Sequence, residues 1–97
     1  PAVYRRLLQV FVDTHGDDGE RLVQQLRQHL AAEARALAHR LRGSAATLGL
    51  VEVEAAAGTL ESAIDDGADA AALAALAQAL VDALDEALHS LRRALAV

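Results

Sequence analysis

The chain has 97 residues, of which 24 are Ala and 17 are Leu, and its nine positive side chains, all Arg, face fourteen acidic ones for a net charge of −5. This length suits one domain with a modest core and leaves no room for a second, catalytic domain beside it. The absence of Cys excludes disulfides, thiolate zinc sites and cysteine nucleophiles, and the acidic balance with only 2% aromatic residues argues against nucleic-acid binding.

Every predicted element is a helix, because apolar residues recur at three- and four-residue spacing and no segment alternates with period two. Five stripes follow one another along the chain. They are Tyr4, Leu7, Leu8 and Phe11; Leu22, Val23, Leu26 and Leu30; Ala34, Leu37, Ala38, Leu41, Ala45 and Leu48; Val53, Ala56, Ala57, Leu60 and Ile64; and Leu73, Leu76, Leu80, Leu84, Leu88, Leu91 and Leu95.

The helix ends are predicted from Gly and Asp. Breaks are expected at Gly16, Gly49 and Gly67. Asp17 or Asp18 is expected to cap the second helix, with Glu20 as the capping-box partner of Asp17, and Asp69 is expected to open the last helix. The pattern predicts an all-α fold, an up-and-down antiparallel four-helix bundle with an additional short N-terminal helix, as one domain over residues 1–97.

The third helix carries a histidine away from its apolar stripe. With about 100° per residue, His39 points roughly 150° from the centre of that stripe, and its surface neighbours are Arg35, Arg42, Gly43 and Ala46. Guanidinium groups suit the charge and geometry of a phosphoryl group, and a neutral imidazole can accept one on a ring nitrogen. An exposed histidine between arginines is more often ordinary solvated surface, so this geometry alone does not establish a site.

The order of residues around His39 favours a function. His39-Arg40-Leu41-Arg42-Gly43-Ser44, then Leu48-Gly49 and then Leu60-Glu61, closely resembles the motif of the histidine-containing phosphotransfer (HPt) domain family. The match spans residues 35–61, and the other predicted helices agree in number and length with the bundle of that family. Each motif element is weak by itself, but together in this order they are specific.

The resemblance implies a role for each matching residue. His39 would accept the phosphoryl group, and Arg42, where the family usually has Lys, would balance its charge. Gly43 would keep the approach open for a partner domain. Glu61 would accept a hydrogen bond from Nδ1 of His39 and leave Nε2 as the attacking atom.

The resemblance also implies partners. The chain would be a phosphorelay intermediate of a bacterial two-component system, exchanging phosphoryl groups with receiver domains of response regulators or of a hybrid sensor kinase. The docking surface would include Arg35, Ala46 and Leu50, with exposed residues of the second helix. No cofactor or metal is expected in this chain, since Mg²⁺ belongs to the receiver. No autokinase activity is expected either, because the chain has no Gly-rich phosphate loop.

We expect an isolated domain to be a monomer in the cytoplasm, without nucleic acid or direct membrane contact. The longest apolar run, residues 70–77, is far shorter than the about 20 residues that span a bilayer, and no signal peptide is recognisable. The chain starts at Pro1 rather than Met, which favours a fragment of a longer protein, such as a sensor kinase tethered to the inner membrane.

Two alternatives remain open. One is the phosphorylatable domain of a chemotaxis-type histidine kinase, which shares the motif and the bundle. The other is a helical scaffold or dimerisation module in which His39 is idle. A dimerising kinase bundle is disfavoured, because its motif places Pro after the histidine and this chain has Pro only at position 1.

The other polar residues are predicted to be structural. His15 is expected to cap carbonyls at a helix end, and His29 and His89 to lie on polar helix faces. Ser44 has no recognisable base. The remaining candidates are a turn and helix cap at Asp65, Asp66 and Asp69, and solvated helix ends at Arg5-Arg6 and Arg92-Arg93.

Overall fold

The computed structural model describes residues 2–97, which form five α-helices and no strand. The helices are α1 (Ala2–His15), α2 (Asp18–Arg27), α3 (Ala31–Leu48), α4 (Val51–Asp65) and α5 (Ala70–Leu95). The all-α prediction is therefore confirmed. Within this part of the chain, even the 26-residue α5 lacks the apolarity needed to cross a membrane. Pro1, on which the expectation of a fragment rests, lies outside the described residues.

The helices surround one hydrophobic core. Contacts connect α2, α3, α4 and α5 in a closed ring, and α1 lies against α5 and α3. Leu37, Leu41, Leu60, Leu80 and Leu84 fill the interior as predicted by the stripes. Small residues complete it, since the fully buried alanines let neighbouring helices approach closely. These alanines are Ala34, Ala38, Ala45 and Ala57.

Three helices end at a residue with a left-handed backbone. Gly49 (φ 71°) and Gly67 (φ 73°) take the predicted positions after α3 and α4, where glycine adopts this conformation without steric cost. After Gly49, the amide of Leu50 donates to the carbonyl of Ala45 over 2.9 Å, so α4 starts only two residues beyond α3. His29 (φ 59°) plays the same part after α2. The prediction that His29 lies on a helix face is therefore wrong, because α2 ends two residues earlier.

Two helix starts were predicted from aspartates, with different outcomes. Asp69 caps α5 as expected, since its Oδ1 accepts from the amide of Ala72 over 2.8 Å. The predicted cap by Asp17, with Glu20 as its partner, is wrong: in the described part of the chain, the side chain of Asp17 makes no capping hydrogen bond to α2. Asp18 is already inside α2, and its carboxylate is used by a side chain of α1 instead.

α1 buries less of its apolar stripe than predicted. Leu8 and Phe11 are in the core, but Tyr4 and Leu7 are about half exposed. The reason is that α1 packs against α5 and α3 without becoming part of the ring of the other four helices, so its first turns stay largely exposed. Arg5 is not a freely solvated end, because its guanidinium donates to the carbonyls of Ala94 and Leu95 at the end of α5.

A buried polar chain links the start of the molecule to α3. The Nδ1–H of His15 donates to Oδ2 of Asp18 over 2.6 Å, and Nε2 of the same ring shares a hydrogen bond of 3.0 Å with the hydroxyl of Ser44. His15 and Asp18 are buried, and the Phe11 ring lies 4.7 Å from the imidazole. The expectation that His15 caps carbonyls is wrong, and so is the one that Ser44 lacks a base. Both fail because the partners come together only when α1 and α2 pack on α3.

This chain of hydrogen bonds gives a stability prediction. His15→Ala leaves the Asp18 carboxylate buried without its partner, which costs about 3 kcal/mol in the free energy of unfolding. Urea unfolding followed by circular dichroism measures this loss. His89→Ala, at an exposed histidine of α5, is the control and should change the free energy by less than about 0.5 kcal/mol. Equal, small losses in both variants would contradict the structural role of His15.

Candidate functional site

α3 and α4 face each other through three successive residue pairs. Residues of successive pairs are three or four positions apart on each helix, which is about one turn. The three residues that each helix contributes therefore lie on one face. The pairs are Arg35 with Asp65, His39 with Glu61, and Arg42 with Gly58.

His39 is exposed but held at one ring nitrogen. Its side chain is 59% accessible, and Nδ1 lies 3.1 Å from Oε2 of Glu61. An ionised carboxylate can only accept a hydrogen bond, so Nδ1 carries the proton. In the neutral ring, Nε2 then has a free lone pair, as a nucleophile requires.

Glu61 is a buried carboxylate shared by three side chains. Only 6% of its side chain is accessible. Besides His39, it contacts Nε of Arg42, 3.2 Å from Oε1, and a terminal nitrogen of Arg35, 3.6 Å from Oε2. Burial of a carboxylate is costly unless donors surround it, and these groups supply them. Within residues 2–97 no well-directed hydrogen bond reaches Oε1, so the contact with Arg42 is an ion pair only.

Arg35 is anchored by a residue of α4. Its Nε donates to Oδ1 of Asp65 over 2.6 Å and a terminal nitrogen donates to Oδ2 over 3.0 Å. This two-point contact raises the pKa of Arg35 and lowers the pKa of Asp65, chiefly through the hydrogen bonds and the attraction of the opposite charges. The guanidinium thus stays one turn from His39 with its orientation fixed.

The small residues predicted near His39 lie on its surface. Gly43 and Ala46 are exposed one and two turns further along α3. A Cβ on Gly43 would meet none of the described atoms within 4 Å, so the space beside His39 is open.

Leu50, predicted for the same docking surface, is not brought to His39. It precedes the first residue of α4, is half-buried against the core, and lines a cleft with Glu86 and Leu91. Eleven residues separate it from His39, about 16 Å of helix rise. The wheel of α3 could not indicate this, because Leu50 lies beyond the end of that helix.

The sequence reasoning missed two residues of the site, Asp65 and Gly58. The sequence predicts a turn at Asp65, but this residue is the last of α4 and pairs with Arg35. Gly58 lies against the stem of Arg42. The sequence could have indicated both residues. When two helices form a hairpin, residues at equal distances before and after the connection, here Gly49–Leu50, lie opposite each other.

These features define a class of protein, a helical bundle that presents one histidine fixed by a buried carboxylate. A model of the Hpt domain family matches residues 6–94, and the chain belongs to this family. Its members carry out histidine-containing phosphotransfer in two-component signalling and interact with receiver domains. Neither the curated proteins nor the solved structures contain a significant match.

The Arg35–Asp65 contact predicts a measurable pKa. Because Arg35 lowers the pKa of Asp65 in the folded state, the contact stabilises the fold above the ordinary range of Asp, near 3.9, and this contribution is lost as the pH falls through the lowered value. Arg35→Gln should raise the pKa of Asp65, as followed by NMR of its carboxyl carbon. Arg40→Gln, at an exposed arginine on α3, should leave it unchanged. No response to Arg35→Gln would contradict the pairing.

Proposed function

We propose that the chain is a phosphorelay intermediate. His39 accepts a phosphoryl group from the phospho-aspartate of one receiver domain and passes it to the aspartate of another. The observation that carries this proposal is the exposed imidazole of His39, fixed through Nδ1 by the buried Glu61, in a chain of the HPt family.

The transfer needs no proton transfer at His39. The lone pair of Nε2 attacks phosphorus, the bond from phosphorus to the aspartyl oxygen breaks, and its electron pair returns to the receiver as a carboxylate. The ring then carries a positive charge. Its Nδ1 keeps the proton, which remains hydrogen-bonded to the carboxylate of Glu61. Because such transfers pass through a loose, in-line transition state, positioning and charge stabilisation supply the catalysis. Glu61 positions the imidazole ring and stabilises the positive charge that the ring gains.

Arg42 stabilises the phosphoryl group. Its guanidinium rests on the carboxylate that holds His39, so a short movement of the side chain brings it to the group on Nε2. Arg35 contributes a fixed positive charge on the other side of His39, since Asp65 anchors it. Two arginines thus flank the place where negative charge accumulates.

The receiver approaches over the open face of α3. Gly43 and Ala46 supply the small surface, and exposed residues of α2 extend it. We keep Leu50 as a contact only at the edge of this surface. The receiver brings its own Mg²⁺ and acidic pocket, and this chain adds no cofactor, metal or autokinase activity.

We infer that the bundle is up-and-down and antiparallel, with α1 as the additional N-terminal helix. The site pairs support this for α3 and α4, since residue numbers fall on α4 as they rise on α3. The closed ring of contacts and the short connections support it for the other helices. We further propose one domain over residues 1–97, monomeric in isolation and cytoplasmic, within a hybrid sensor kinase or a separate bacterial protein.

His39→Gln tests the acceptor. The purified domain is mixed with a receiver carrying labelled phosphoryl groups, and acid-labile label on the domain is measured. Wild type should take up label and His39→Gln should take up none, because the amide has no nucleophilic nitrogen. His89→Gln, at an exposed histidine of α5, should match wild type. Labelling of His39→Gln at the wild-type rate would contradict the assignment, and no labelling of wild type by any receiver would favour a scaffold.

Glu61→Ala tests the carboxylate. Loss of the hydrogen bond to Nδ1 should slow transfer about 10- to 100-fold without abolishing it, since hydrogen bonds to charged groups contribute about 1.5–3 kcal/mol. Glu61→Gln should be less impaired, because its amide oxygen can still accept from Nδ1. Glu52→Ala, on the exposed start of α4, is the control and should transfer normally. An unchanged rate in Glu61→Ala would remove this residue from the site.

A further inference from the structure

α4 contains a glycine in its interior, at Gly58. Glycine weakens a helix relative to alanine because it loses more conformational freedom on folding. The backbone here is ordinary helix, so no turn or positive φ requires glycine. What a small residue at this position makes possible depends on the side chain that passes over it.

The side chain of Arg42 passes over Gly58. A Cβ built on Gly58 would lie 3.5 Å from Cδ of Arg42 and 3.9 Å from one terminal nitrogen. These are ordinary van der Waals distances, so a methyl group fits, but a longer side chain would compete with Arg42 for the same space. Arg42 continues from here to Glu61, one turn along α4.

The contact of Arg42 with Glu61 is suited to release. It is an ion pair at 3.2 Å without a well-directed hydrogen bond to Oε1, and 44% of the Arg42 side chain is accessible. When a phosphoryl group arrives on Nε2 of His39, it offers oxygens of higher negative charge nearby. Glu61 keeps the Nδ1–H of His39 as a partner when Arg42 leaves.

We propose that Gly58 is a positioning residue for phosphoryl transfer. The absence of a long side chain at this position gives Arg42 a resting place on α4, from which the guanidinium moves to the phosphoryl group on His39. The proposal rests on the proposed function and adds to it a determinant on the opposite helix. Gly58 touches neither the phosphoryl group nor the imidazole in this scheme and acts only through Arg42.

Three substitutions at Gly58 test the proposal. Gly58→Ala is the matched control, since the methyl group fits: transfer should stay within about twofold of wild type and the melting temperature should rise. Gly58→Leu and Gly58→Gln occupy the place of Arg42 and should slow transfer about tenfold, the same loss that we expect for Arg42→Ala. Two side chains of different polarity are used so that a folding defect in one leaves the other to be measured.

A readout specific for Arg42 accompanies the rates. The Nε–H of Arg42 is assigned by NMR, and its exchange with solvent is measured in each variant. Slower exchange is expected in wild type and Gly58→Ala, where Nε lies against the buried carboxylate of Glu61, and faster exchange in Gly58→Leu and Gly58→Gln, where the guanidinium is displaced into solvent. Unaltered exchange in both bulky variants would overturn the proposal.

A double-mutant cycle separates the failures. In an Arg42→Ala background, Gly58→Leu should cause no further loss, because the residue it displaces is gone. The same tenfold loss in both backgrounds would overturn the proposal, and so would a wild-type rate in Arg42→Ala. Either result would be compatible with His39 as the acceptor. Absence of label on the wild-type domain, in contrast, would contradict the proposed function itself.

Discussion

The site depends on one buried carboxylate, that of Glu61. Between α3 and α4 it fixes the tautomer of His39, holds Arg42 at rest and lies within reach of Arg35. A carboxylate in this position is stable only while donors surround it, so His39 and Arg42 are held in place together by the same group. The same group would balance the positive charge that the ring gains on phosphorylation. One interaction thus unites the fold of the hairpin with the chemistry proposed for it.

The rest of the structure keeps the Glu61 carboxylate on α4 opposite His39 on α3. Gly49 ends α3 and allows α4 to start after two residues, which sets the residues of the two helices opposite one another. Buried alanines permit the close approach of the helices. On another side of α3, the hydrogen bonds of His15 to Asp18 and Ser44 tie down the start of the molecule.

Much of the fold and of the candidate site can be predicted from the sequence. The features that cannot be predicted share a common cause. The apolar period predicts the helices and most of the core, and the wheel of α3 with the HPt motif selects His39 and the residues beside it. What fails depends on contacts between elements. The half-exposure of Tyr4 reflects the position of α1 outside the ring, and the partners of His15 come from two other helices. Asp65 and Gly58 become visible only when α4 is laid against α3.

The proposed transfer requires that Glu61 fix the ring so that Nε2 of His39 is the phosphorylated atom. The domain is phosphorylated by a charged receiver, and ³¹P and ¹⁵N NMR identify the nitrogen bonded to phosphorus. One phosphohistidine is expected, at Nε2 of His39, with the proton retained on Nδ1. A phosphoryl group on Nδ1, or on any other residue, would contradict it.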